Sequence, residues 1–148
     1  MSENKNFNVV VNGVIVDKKG RMLIARRASD DDHEAGMWTT PGGTLEVDGE
    51  EHGVIEETLS REIMEEVGVA ISKNVVFITN NTFIKSNGAH VLAIVFLCFH
   101  EKGIAKPLDE TDEVRWVDSI SELNNLSFPP NVKEYFEKAI SKLNEIRK

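Results

Sequence analysis

The stretch REIMEEVG, residues 61–68, crowds Glu62, Glu65 and Glu66 together just ahead of a glycine. The residues around it, 54–67, read as a helix. Ile55, Leu59, Ile63 and Val67 recur at every fourth position and form one apolar stripe, and Gly68 is placed to end the helix as its C-cap. At about 100° per residue, the three glutamates share one sector bordering that stripe. Like charges one turn apart and acids near a helix C-terminus both oppose helix formation, so the arrangement does nothing for the fold alone. A solvated acidic face is the plain reading. The other is a site for a hard divalent cation such as Mg²⁺ or Mn²⁺, which takes oxygen ligands that adjacent helical turns can bring together.

Strand signals lie on both sides of this helix. Residues 7–17 (FNVVVNGVIVD) are valine-rich, 18–21 read as a turn, and 22–27 (MLIARR) as the returning strand. Residues 28–36 form a polar, acidic loop, and Pro and Gly break 37–53 into mostly loop. Beyond the helix, 75–85 and 89–100 read as two strands joined at Ser86, Asn87 and Gly88, and 112–118 alternate like a further strand. From Asn131 on, Phe136, Ile140 and Leu143 mark a second amphipathic helix. Strands, helix, strands, helix is the order expected of an α/β chain with a mixed sheet between helices.

The chain has 148 residues, suiting a single domain over 1–148. It has no apolar run long enough to cross a bilayer. Its N-terminus, MSENKNFN, lacks the features of a signal peptide, and its single cysteine, Cys98, sits inside an apolar run as a buried hydrophobe. These features lead to the expectation of a cytoplasmic protein with no membrane partner. A net charge of −8 argues against a partner among duplex nucleic acids, which need a basic face, but leaves room for a phosphorylated small molecule bridged by a divalent cation. None of the four histidines has zinc-ligand spacing.

Pro41-Gly42-Gly43 followed by REIMEEVGV resembles the Nudix box, G-x5-E-x7-R-E-U-x-E-E-x-G-U, with U aliphatic. Gly43 fits the first glycine, and Arg61, Glu62, Ile63, Glu65, Glu66, Gly68 and Val69 fit the second half. The resemblance implies an α/β/α sandwich and Mg²⁺-dependent hydrolysis of a nucleoside diphosphate linked to another group. It implies metal ligands at Gly43, Glu62, Glu65 and Glu66, and catalytic roles for Glu66 and for Arg61, which can hold a neighbouring carboxylate in place. One departure stands out: Arg61 lies four positions further from Gly43 than the pattern allows, and Gly53 occupies the place of the box's first glutamate. Glu50, with Glu51 as the alternative, is the candidate displaced carboxylate, unless both are simply exposed loop acids.

Further positions resemble the MutT-type branch, which cleaves nucleoside triphosphates. Its additional glutamate, six residues before a tryptophan, falls on Glu110 before Trp116, as a ligand or general base. Asp112 and Glu113 compete for that role, and a solvated loop is the simple alternative. Arg26 and Arg27 correspond to an arginine pair facing the nucleotide. Adjacent strand residues point to opposite faces, so at most one faces the site, and ion pairing with residues 30–32 is the alternative. Phe128 and Asn131, in SFPPN, resemble a base-stacking ring and a base-reading amide, although Asn131 stands one position earlier than in that pattern, and capping the last helix is the simpler reading of it. The substrate expected from this branch is a small-molecule nucleotide, an intact or oxidised nucleoside triphosphate giving monophosphate and pyrophosphate. ADP-ribose or a nucleotide sugar is the alternative, and a binding module without catalysis is the non-enzymatic one. Nudix proteins often dimerise, so a homodimer is a further expectation.

Overall fold

The computed structural model describes residues 6–28 and 36–147. The first expected strand is β1, Phe7–Val16, and the turn after it returns as β2, Met22–Arg27. The helix expected over 54–67 is α1, Val54–Val67, and Gly68 ends it in the left-handed region at φ 73°. The hairpin expected at Ser86, Asn87 and Gly88 joins two long strands. They are Val76–Ile84 and His90–Lys102, numbered β6 and β7 because a two-residue strand, β5 (Ala70–Ile71), precedes them. β8 is Thr111–Val117 and α2 is Val132–Ile146. Two short strands interrupt the segment expected to be mostly loop: β3, Trp38–Thr39, and β4, Gly42–Thr44. Neither these nor β5 is long enough to show a period of two.

The eight strands form one mixed sheet. β1 and β7 run parallel, from Phe7 beside His90 to Val16 beside Phe99, and β6 pairs antiparallel on the far edge of β7. β1 meets β2 only where Val16 faces Met22. Above that point the two strands splay. β3 pairs with β2 and β4 pairs with β1, so the short strands fill the opening. β8 covers the other edge of β2.

Alternation assigns the two faces. Val11 and Ile15 of β1, Leu23 and Ala25 of β2, and Cys98 of β7 pack under Leu59, Ile63 and Val67 of α1. Val14, Val16, Met22, Ile24, Val95 and Leu97 point the other way, onto Phe136, Ala139 and Leu143 of α2. The chain is thus the α/β/α sandwich expected from the sequence, with a core layer on each side of the sheet. Gly13 lets α1 approach closely: a Cβ there would stand 2.7 Å from Cys98 Sγ and 3.1 Å from Ile63 Cδ1. Cys98 is fully buried as expected, and burial pushes its thiol pKa up.

Candidate active site

α1 presents Glu62 and Glu66, one turn apart, to the glycine strand β4. Gly42 N–H donates to Glu66 Oε2 at 3.0 Å. A Cβ on Gly43 would stand 2.4 Å from the Glu62 carboxyl carbon, so only glycine lets the strand lie this close to both acids. Arg61 lies 3.4 Å from Glu57, 3.4 Å from Glu62 and 3.7 Å from Glu65, gathering these carboxylates along the outer edge of the helix. Glu65 itself is half exposed on that outer side.

A second acidic segment reaches the site by completing the helix end. Lys106 N–H donates to Val67 O and Leu108 N–H to Glu66 O, both at 3.0 Å, satisfying carbonyls that the last turn of α1 would otherwise leave open. The chain then turns through Asp109, at φ 49°, and Ala28 N–H donates to Glu110 O at 2.8 Å. These bonds bring Asp109 and Glu110 against the α1 acids. Glu46, following β4, closes the same cleft of about 340 Å³, with Arg27 and Lys85 as its cations.

The electrostatics follow from this crowding. Burial, above all, pushes Glu66 up to about 8. The negative charges of Glu62 and Asp109 add to the effect, while the Gly42 amide and Arg27 oppose it. Burial also raises Glu62, reinforced by Glu65, Asp109 and Glu46 and opposed by Arg61. Among the described residues, no three Asp, Glu, His or Cys side chains already stand as a closed metal cage. The donors are nevertheless all hard oxygens, and the ionisation of one of them, Glu66, is opposed chiefly by its burial. Such an open set suits a divalent cation that keeps waters and shares phosphate oxygens.

A second cavity, of about 370 Å³, adjoins the acidic cleft and shares Arg27, Gly42, Gly43, Thr44, Glu66 and Lys85 with it. Its remaining walls are largely apolar, including Met37, Phe83, Pro129 and Val132, with Asn12 and Asn131 as amides. An elongated ligand with a charged end and a flat apolar end fits this joined shape.

The sequence-derived candidates separate as follows. Gly43, Glu62, Glu66, Glu110 and Arg27 come together in the cleft, and Asn131 lines the adjoining cavity. Asn131 also holds the N-cap position of α2, but at φ 77° and without a side-chain capping bond. Five candidates line neither cavity, and two of them, Arg61 and Glu65, stay on the outer edge of α1. Arg26 lines neither cavity; it donates to Asp112 at 2.7 Å, lies 3.3 Å from Glu113 and sits over Trp38. Phe128 is half-buried against the α2 core layer, packs edge-on against Phe136 and lines neither cavity. Glu50 is exposed on the loop before α1 and lines neither cavity. The ion-pair alternative with residues 30–32 lies outside the described residues. Sequence reasoning missed Glu46, Lys85 and Asp109. Glu46 carries a weak signal, as the first acid after the paired glycines. Lys85 and Asp109 carry none, since only the sheet and the helix-capping loop bring them here.

Known proteins share this chain's family and fold. A NUDIX domain profile matches residues 6–138. A MutT-like protein of Streptomyces ambofaciens is 32% identical over 117 residues, covering 78% of this chain and 68% of that protein. An 8-oxo-dGTP diphosphatase of Proteus vulgaris is 34% identical over 73 residues, covering 49% of this chain and 60% of that protein. The crystal structure of a MutT protein from Methanosarcina mazei superposes with a TM-score of 0.75 at 26% identity, covering 96% of this chain and 99% of that one.

Proposed function

Since the chain belongs to the Nudix hydrolases, in the MutT-like pyrophosphohydrolase branch, we propose that it hydrolyses a nucleoside triphosphate, intact or oxidised, to the monophosphate and pyrophosphate with Mg²⁺. The observation that carries this reading is the junction of the two cavities. A mostly apolar chamber sized for a heterocycle opens directly onto an acidic cleft, and Glu66, Gly42 and Gly43 form the boundary. The relative acting on 8-oxo-dGTP favours the triphosphate class over ADP-ribose or a nucleotide sugar.

Nudix hydrolases generally use divalent metal ions. Here Glu62, Glu65 and Glu66, with the Gly43 carbonyl, would hold Mg²⁺ or Mn²⁺, which when bound neutralises phosphate charge and acidifies water. The chain's own residues do the rest. Arg27 and Lys85 pair with phosphate oxygens at the junction. Arg61 positions Glu62 and Glu65. Water attacks a phosphorus atom and the bridging P–O bond breaks, with Glu66 or Glu110 accepting the water's proton. α1 carries Arg61 and the three glutamates, β4 carries Gly43 and β2 ends in Arg27, while Lys85 and Glu110 come from the turns beside β6 and β8.

The test is metal-dependent phosphate release from NTPs, dNTPs, 8-oxo-dGTP, ADP-ribose and nucleotide sugars, coupled through pyrophosphatase for the triphosphates and through phosphatase for the others, with an EDTA control. Triphosphates are expected to be the class turned over, and Glu66→Gln should lower turnover by about 100-fold or more with the fold intact. Near-normal turnover in that variant would remove Glu66 from the centre of the reaction. Exclusive cleavage of ADP-ribose would replace the substrate class, and failure to cleave any of the panel would favour a binding module.

A further inference from the structure

Thr40 stands in the opening between β3 and β4 and lines the mostly apolar chamber. Its exposure is only 3%, and its Oγ1 is buried with no hydrogen-bonding partner. The backbone around it is pinned. Trp38 N–H donates to Ser127 O at 2.9 Å, and Gly13 N–H donates to Pro41 O at 3.0 Å, so the segment cannot shift to find the hydroxyl a partner. Threonine is also stiff at χ1. A buried hydroxyl left unbonded is a cost that valine would avoid while filling the same space. The fold thus leaves the hydroxyl unpaired, on a residue that lines the chamber.

The chemistry of a partner atom follows from the surroundings. The charged groups, Arg27, Lys85 and Glu66, stand at the boundary with the acidic cleft, where phosphates belong. Thr40 lines the mostly apolar chamber, as do Met37, Phe83 and Pro129, and it is not among the residues shared with the acidic cleft. A hydroxyl can donate or accept, which matches the neutral polar edge of a base. Resting on the nucleotide reading above, we propose that Thr40 is a specificity-determining residue whose hydroxyl hydrogen-bonds a ring heteroatom or exocyclic group of the substrate's base.

Thr40→Val and Thr40→Ser test this. On the best nucleoside triphosphate, Thr40→Val is expected to raise KM about 10-fold with kcat nearly unchanged, and Thr40→Ser to recover most of the loss. Without ligand, Thr40→Val should melt at or above the wild-type temperature, because it removes an unbonded buried hydroxyl. The KM penalty should persist on the 2′,3′-dideoxy analogue. An unchanged KM in Thr40→Val overturns the proposal. So does a lowered ligand-free melting temperature, which would mean a structural bond, and so does a penalty that vanishes on the dideoxy analogue, which would mean a sugar contact. Absence of turnover on every nucleotide would instead strike the triphosphate reading. Calorimetric binding of nucleoside monophosphates still decides on Thr40 in that case: weaker binding by Thr40→Val supports the contact, and equal affinity or no binding removes it.

Discussion

Gly42 and Gly43 are neighbours of one type, yet a methyl group on each would meet different material. On Gly42 it would stand 2.0 Å from Val11 O and 2.7 Å from Asn12 Cα, backbone atoms of the central strand that cannot move aside. On Gly43 it would meet the far end of the Glu62 side chain, which can rotate away. Gly42→Ala is therefore expected to destabilise the protein by about 2 kcal/mol or more, seen as a drop of roughly 5 °C or more in thermal melting. Gly43→Ala should melt near the wild-type temperature but lose about 10-fold or more in pyrophosphate release, because its methyl displaces a carboxylate from the cleft. Full activity in Gly43→Ala would show that the position of Glu62 is immaterial. The sequence could single out Gly43 and the α1 glutamates because they share one short motif. It could not tell what either glycine packs against, since that depends on what β1 and α1 place opposite each of them.

At the scale of elements, both long helices and all the long strands were legible, because each carries an apolar period that its own length makes visible. What was not legible was pairing. Nothing in residues 7–16 announces a parallel partner in residues 90–99, and the splay that creates the chamber depends on that pairing holding β1 while β2 leaves it. The turn between β1 and β2 is local and carries its own test. Asp17 is nearly buried and accepts from Lys19 N–H at 3.0 Å, Arg21 N–H at 2.8 Å and Arg21 Nε at 2.7 Å. Burial pushes its pKa up, but the Arg21 amide and guanidinium and the Lys19 amide outweigh that, and the net pKa lies below the ordinary carboxylate value. A depressed pKa means stability that is present above the unfolded-state value, about 3.9, and lost as pH falls through the folded one. Asp17→Asn should therefore cost about 1–2 kcal/mol at pH 7, with the gap to wild type closing below about pH 4 in melting curves. A gap independent of pH would mean that the carboxylate charge is not what the turn uses.

The whole molecule carries a net charge of −8 and concentrates several of its acids, drawn from three separate segments, in one cleft. The folded chain thus holds carboxylates together that the unfolded chain disperses, and a cation that binds only the folded form must stabilise it. Mg²⁺ at about 100 times its dissociation constant is expected to add about 2.7 kcal/mol, raising the melting temperature by roughly 5 °C or more. The double variant Glu62→Gln, Glu66→Gln should melt higher than wild type in EDTA, because it relieves buried like charges, and should lose the Mg²⁺ shift. A full shift in that variant would move the metal elsewhere. The site was legible only as far as it is contiguous in the chain. Arg26 and Phe128 show the limit: each resembles a binding residue in sequence, yet the acids of β8 and the α2 core layer claim their side chains. Lys85 and Asp109 show the converse, as site residues whose local sequence is that of an ordinary hairpin and an ordinary loop.

The bonds from Lys106 and Leu108 to the last carbonyls of α1 have a consequence for motion. The loop bearing Asp109 and Glu110 cannot swing as a hinged flap, because releasing it also uncaps the turn that holds Glu66. Hydrogen–deuterium exchange at these two amides should therefore keep time with the fraying of the helix end, and the slowest breathing of the acidic cleft is the breathing of one helical turn.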